Sequence, residues 1–180
     1  INTKDYFEFI LSTLSLLSLI SRFIEVETIK RELIHQISDV ILDASYFGIR
    51  NNLADEWSFR LAVSIIKEEI SLSDYKRLSL IMDKLLELRE LFMIKLFQSS
   101  FDIAQASEML SEILYQFIRQ FKKKYNITKY ISECEKLMQI AKQIYDAEGY
   151  TVKVRKIDMY LNELSKLSQE IASKLREKLS

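Results

Sequence analysis

The sequence predicts an all-α protein, organised as a single-domain bundle of about six to seven antiparallel helices over residues 1–180. Three observations lead to this prediction. Proline is absent from the 180 residues and glycine occurs only twice, so the residues that tight β-turns require are scarce. Apolar residues recur every three to four positions, as they do in amphipathic helices. Serine, asparagine and aspartate precede these apolar segments, where helix caps are expected.

The composition is that of a globular protein without a dominant charge. Apolar residues make up 48% of the chain and charged residues 29%, which argues against disorder. The 26 basic and 26 acidic residues cancel, so binding to nucleic acid or to an anionic membrane would need a local patch. Cys134 is the only cysteine, which excludes a disulfide framework and a cysteine-based zinc site. A lone cysteine favours a reducing compartment, and we expect a cytoplasmic protein.

The first helix is expected from about Asp5 to Phe23, and apolar residues occupy nearly all of its faces. Such a helix lies at the centre of a bundle or in an oligomer interface. We therefore expect a homo-oligomer, or a protein partner bound through this helix. Its uncharged stretch, Phe9–Ser21, has thirteen residues, whereas a membrane span needs about 20, so we expect no membrane insertion. A stripe of small residues runs along it: Ser12, Ser15 and Ser18.

The remaining helices follow from caps and periodicity. A second helix is expected over Glu27–Gly48, with its glycine near the C-terminus. Asn51 and Asn52 are expected to cap a third helix over Leu53–Ile70. The others are expected from Ser71 or Ser73 to Gln98, from Ser100 or Asp102 to Lys124, from Asn126 or Thr128 to Gly149, and from Val152 to Leu179. The last is amphipathic throughout, so it packs on the bundle or extends as a two-stranded coiled coil.

Two carboxylates on the fourth helix are candidate metal ligands and candidate catalytic residues. Asp83 and Glu87 are four residues apart and therefore share a face. Paired carboxylates can hold Mg²⁺ or Mn²⁺, and such an ion could serve a nuclease. The alternative is a solvated acidic face balanced by Lys84 and Arg89. Glu56 is a candidate second donor and catalytic residue, although an acid in the first turn of a helix also favours the positive helix end.

One basic run is the candidate nucleic-acid site, and it consists of Arg119, Lys122, Lys123 and Lys124. Phe121 and Tyr125 are interleaved with it, so phosphate contacts could combine with base stacking. The alternative is that lysines at a helix C-terminus complement the helix dipole.

The only histidine, His35, lies between apolar positions, and we expect it to be structural. No nucleophile-elbow motif accompanies it. Trp57 and Phe59 occur at helical spacing and are expected in the core.

Several segments resemble the translin and TRAX family. The stretch from Ile81 to Arg89 resembles that family's Asp-x-x-Gly-Glu-Leu helix, with Asp83 and Glu87 at the two acidic places. Asp102–Gln105 and Glu108–Tyr115 resemble the next helix, and Val154–Asp158 resembles a Leu-Arg-x-Lys-x-Asp element. The resemblance implies an all-α protein that binds single-stranded RNA and DNA and forms barrel-like octamers.

Active members of that family are metal-dependent ribonucleases that use carboxylates from two helices. The resemblance therefore implies catalytic roles for Glu56, Asp83 and Glu87. The sequence departs from the family pattern at Phe59, which replaces a second glutamate, and at Leu86, which replaces a glycine.

A rival resemblance uses the same helix. Leu88–Leu91 with Lys95–Leu96 is similar to a helix of archaeal GINS replication subunits, although the Gly- and Pro-rich β domain of that family has no counterpart in this sequence. Two functional hypotheses follow. One is a translin-like nucleic-acid-binding protein with or without ribonuclease activity. The other is a non-catalytic scaffold or adaptor subunit of a replication, CRISPR or viral assembly.

Overall fold

The structure, a computed structural model, describes residues 2–95, 99–124 and 127–179. Side chains are described throughout these ranges except at positions 56, 92–95 and 174–179. Seven helices occupy these residues: α1 Thr3–Ser21, α2 Glu27–Arg50, α3 Glu56–Leu72, α4 Tyr75–Lys95, α5 Ser100–Phe121, α6 Ile127–Ala147 and α7 Thr151–Leu179. No strand occurs in the described ranges. The all-α prediction is therefore confirmed.

The chain divides into two compact units, Ile1–Phe97 and Gln98–Ser180. The single domain expected over residues 1–180 stays a prediction. Within the described residues, none of the helices combines the length and the apolar character that crossing a bilayer requires.

The first unit packs α1 against α2 and α3, and α4 against α2 and α3. Its core takes one face of each helix, with fully or nearly fully buried side chains such as Phe7, Leu11, Ile37, Ile41 and Ile65. The face of α4 that enters the core carries Leu78, Ile81, Leu85 and Leu88, all of which are buried.

The predicted cap of the third helix was wrong. Asp55 and Ser58 form a reciprocal capping box that starts α3, with the Ser58 amide donating to Asp55 Oδ1 at 2.8 Å. Asn51 instead ends α2, and Asn52 has a φ of 55°, a left-handed conformation that asparagine tolerates better than most residues. Asparagine suits turns because its side chain can hydrogen-bond nearby backbone and because it tolerates the left-handed conformation. Here the left-handed conformation of Asn52 places it in the turn after α2.

Two further caps differ from the expected residues. The Arg77 amide donates to Asp74 at 2.9 Å, so Asp74 rather than either predicted serine caps α4. Ser99 caps α5 by accepting from the Asp102 amide. Gly48 lies in the last turn of α2, near the C-terminus as predicted, and a side chain at this position would collide with the ring of Phe7.

In the second unit, α6 packs against both α5 and α7. Phe117 of α5 meets Tyr130 of α6 edge-on at 4.9 Å between ring centroids, and both are fully buried. Ile157 and Leu164 bury the inner face of α7, so its described part packs within this unit. Gly149 closes α6 as predicted, with a left-handed φ of 80°.

Candidate functional site

The outer face of α1 carries several exposed apolar side chains. Phe9 is 67% exposed, Leu16 56% and Leu19 50%. Tyr6 and Ile20 are also exposed on this helix. The opposite face carries the residues that enter the core, so α1 is apolar on both sides. Exposed apolar side chains in one patch mark interaction sites, whereas single ones are ordinary.

A groove of about 500 Å³ runs between α1 and α3 beside this face. Its lining includes Ser12, Ser15, Leu16 and Leu19 from α1, and Trp57 and Leu61 from α3. Trp57 is 45% exposed, so its predicted place in the core was wrong, whereas Phe59 is buried as predicted. Trp57 lies on the side of α3 that borders the groove, not on the side that packs into the core.

Asp83 and Glu87 lie on one exposed face of α4, as their spacing predicted. Glu87 is already engaged, because the Tyr46 hydroxyl of α2 donates to it at 2.8 Å. Burial, and then the Glu87 carboxylate, raise the pKa of Tyr46 to about 12. Lys84 lies between the two acids in sequence, and its Nζ is 3.9 Å from Oδ1 of Asp43.

The surroundings of these two acids do not favour a divalent cation. Arg77 and Lys84 line the same pocket as Asp39, Asp83 and Glu87, so two cationic side chains already stand beside the carboxylates. No group of three or more His, Cys, Asp or Glu in the described part of the chain is placed to hold a metal ion. The Glu56 side chain lies outside the described residues. A Mg²⁺ or Mn²⁺ site and a catalytic role for Glu56, Asp83 and Glu87 stay predictions.

A buried polar network joins α2, α3 and α4. The Glu69 side chain is fully buried, and Arg77 Nε donates to its Oε1 at 2.6 Å. Ser38 donates to Glu69 Oε2 at 2.8 Å, and Ser73 donates to Oε1. These donors satisfy a carboxylate that would otherwise be costly to bury.

His35 belongs to the same network. Its Nε2 lies 2.8 Å from Ser73 Oγ and 3.4 Å from Glu69 Oε1. Because one nitrogen faces both groups, the imidazole does not stand between an acid and a nucleophile as in a Ser-His-acid relay. The network was missed at the sequence level, although Glu69 follows Ile65 and Ile66 at helical spacing, which places it on the apolar stripe of α3.

The predicted basic run surrounds the turn between α5 and α6. Lys122, Lys123 and Lys124 are exposed. Arg119 is exposed as well and lies over the ring of Tyr115, with 5.7 Å from its guanidinium carbon to the centroid. The second unit contains 14 basic and 11 acidic residues, a net charge of +3.

The aromatic residues of this run are not free stacking platforms where they are described. Phe121 packs on the buried ring of Phe117 at 5.3 Å between centroids. Tyr125 lies outside the described residues. The predicted cationic side chains therefore lie at the surface, whereas Phe121, the one aromatic residue of the run that is described, packs against Phe117.

A second buried carboxylate, Glu108, holds α5 to α6 and α7. Lys153 donates to it at 2.6 Å, Lys156 at 2.9 Å, and the Tyr145 hydroxyl at 2.9 Å. Burial opposes ionisation of Glu108, but these donors outweigh it and hold the pKa of the carboxyl below its usual value. Burial, and then Glu108, raise the pKa of Tyr145. Sequence reasoning missed this cluster, because Glu108 is separated from its three donors by 37, 45 and 48 residues.

Comparisons with known proteins give no family. No protein-family model matches the chain, and no curated protein matches it. The chain is similar to a solved structure described as "Computational Design of Self-Assembling Cyclic Protein Homooligomers", with 12% identity and a TM-score of 0.39 over 99% of this chain and 78% of that chain. A likeness at this level assigns neither a family nor a function.

Proposed function

We propose that this chain is a helical scaffold or adaptor subunit that binds another protein surface through the outer face of α1. The observation that carries the proposal is the exposure of Phe9, Leu16 and Leu19 on one side of a helix whose other side is already in the core. Burying large apolar side chains of this kind is worth about 1.5–3 kcal/mol each. A helix that retains such a face gains stability when another surface covers it.

Hydrophobic-dye binding and sedimentation velocity test this function with two charge variants. Leu16→Glu places a carboxylate in the middle of the α1 face. Leu80→Glu is the matched control, because Leu80 is 61% exposed and lies on α4, which packs against α2 and α3. We expect Leu16→Glu to abolish dye binding or association while Leu80→Glu leaves both unchanged. If both variants behave as the wild type, the α1 face is not a binding surface and the proposal fails.

A second candidate function is the binding of single-stranded nucleic acid, as the translin resemblance implies. It is favoured by Lys122 and Lys123, which are exposed beside the α5–α6 turn of a unit with net charge +3. Each phosphate contact to a single strand contributes about 0.7 to the slope of log affinity against log salt.

Fluorescence anisotropy with a labelled single-stranded RNA tests this candidate. Lys122→Glu/Lys123→Glu should weaken binding and lower the salt slope by about 1.4, because two phosphate contacts are lost. Lys67→Glu/Lys76→Glu changes the net charge equally on the first unit and should have little effect. An equal loss in both variants would indicate unspecific charge attraction. Cleavage of RNA in Mg²⁺ or Mn²⁺ that disappears in Asp83→Ala and Glu87→Ala would extend this candidate to a ribonuclease.

A further inference from the structure

The outer face of α1 carries its own heptad spacing. Phe9, Ser12, Leu16 and Leu19 follow one another at intervals of three, four and three residues, and Phe23 follows four later. All five are exposed. This interval is the a and d spacing of helices that pair along a shallow left-handed seam. The spacing of these residues therefore suits contact with another helix. We call the four that lie within α1, namely Phe9, Ser12, Leu16 and Leu19, the α1 seam.

We propose that a second copy of this chain covers the α1 seam, with the two α1 helices antiparallel about a two-fold axis. This inference rests on the proposed function and names the partner. The orientation follows from the charges beside the seam. Glu8, Ser15 and Arg22 lie seven residues apart on one flank. In an antiparallel two-fold pair each flank meets the same flank of the other helix, so Glu8 meets the partner's Arg22 at both ends.

A parallel pair lacks this complementarity. There the flank of Glu8 and Arg22 meets the opposite flank of the other helix, which carries Tyr6, Thr13 and Ile20. None of those three side chains is charged, so no ion pair forms across the seam. Flanking charges set partner choice and orientation in paired helices, and here they favour the antiparallel arrangement.

The seam residues also match in size when Glu8 is set opposite the partner's Arg22. This register places Phe9 against the partner's Leu19, and Ser12 against the partner's Leu16. The small Ser12 then receives a large neighbour, which is how helix interfaces interdigitate. On the other flank, Tyr6 meets the partner's Ile20 and extends the apolar contact.

Both charged groups are available for this contact. Arg22 is 56% exposed by side chain and uses Nε and Nη2 to bind Glu68, which leaves Nη1 for a second carboxylate. The Glu8 side chain is 62% exposed and touches only Lys4, at 3.7 Å, among the ion pairs of the described residues. Glu8 can therefore pair with Arg22 of the second copy while the internal contact between Arg22 and Glu68 is kept.

Disulfide trapping tests both the partner and the orientation. A disulfide needs Cβ atoms about 3.5–4.5 Å apart. In the antiparallel register Ser12 faces the partner's Leu16, so a Ser12→Cys chain should link to a Leu16→Cys chain that carries a tag. Neither variant should link to itself at a comparable rate. The native Cys134 does not interfere, because it is buried and burial raises the pKa of its thiol.

Each outcome decides the proposal. Linked dimers in the mixture, and few in either variant alone, support antiparallel self-pairing. Self-linked Ser12→Cys dimers indicate a parallel pair and overturn it. If no combination links while Leu16→Glu still removes hydrophobic-dye binding, a different protein covers the face, so this inference fails and the proposed function stands. If no combination links and Leu16→Glu changes nothing, both fail.

Discussion

The Arg77–Glu69 ion pair gives a sharp test of what stabilises the first unit. Arg77→Met keeps the apolar stem of the side chain but removes the guanidinium. The fully buried Glu69 carboxylate then loses the donor at 2.6 Å and keeps the hydroxyl donors of Ser38 and Ser73, with His35 Nε2 at 3.4 Å from its Oε1. The carbonyl of His35 loses a donor at 2.7 Å as well. A buried charge left without its counter-charge is strongly destabilising.

The expected cost follows from the burial of each partner. Breaking a buried pair by removing one member costs about 3–5 kcal/mol. Because the Arg77 side chain is 26% exposed, water reaches part of the site, and we expect the lower end of that range, about 3 kcal/mol. Arg22→Met is the matched control. Arg22 pairs with Glu68, the neighbour of Glu69, but it is 56% exposed, so its pair should be worth about 0–1 kcal/mol.

Urea denaturation followed by Trp57 fluorescence measures both costs. Trp57 is the only tryptophan and lies in the first unit, so its transition reports the free energy of unfolding of that unit. Arg77→Met/Glu69→Gln should recover part of the loss, because a neutral amide is cheaper to bury than an unpaired carboxylate. Equal costs for Arg77→Met and Arg22→Met, or no recovery in the double variant, would refute the reasoning.

Three further predictions concern the packing and the titrating groups. Gly48→Val should lower the free energy of unfolding by about 1–3 kcal/mol, because its side chain meets the buried ring of Phe7; urea denaturation checks this. Tyr46 should titrate at about 12 in a spectrophotometric titration, and Glu87→Gln should move that pKa toward 10. Since the folded pKa is the higher one, this contribution to stability is complete below pH 10 and is lost as the pH rises toward 12. Tyr145→Phe should cost about 1.5–3 kcal/mol in thermal or urea unfolding, because it removes a hydroxyl that donates to a buried carboxylate of α5.

The helices were predictable because their signals are local. Apolar spacing, together with the scarcity of proline and glycine, indicated seven helical segments, and the structure has seven in its described residues. The caps were less predictable, because several polar residues stand near each helix start and only the backbone geometry selects one. Asn52 shows this, since its left-handed φ of 55° suits the end of α2 rather than the start of α3.

The surfaces and buried polar groups depend on how the helices pack, which the sequence shows only in part. Periodicity indicated that α1 is apolar nearly all round, but it could not show which side Phe9 and Leu16 take. The pairing of Glu69 with Arg77 joins the end of α3 to the start of α4, and it exists only because those two helices meet. The exposed acids on α4 and the exposed basic run at the end of α5 were predictable, because charged side chains lie at the surface by default.

Sedimentation equilibrium over a dilution series tests the pairing of α1 most directly. One chain has a mass of 21.3 kDa. If a second copy covers the α1 seam, the wild-type protein should approach twice that mass as its concentration rises, and Leu16→Glu should stay at the mass of one chain. A wild-type mass of 21.3 kDa at every concentration, unchanged in Leu16→Glu, would contradict the pairing.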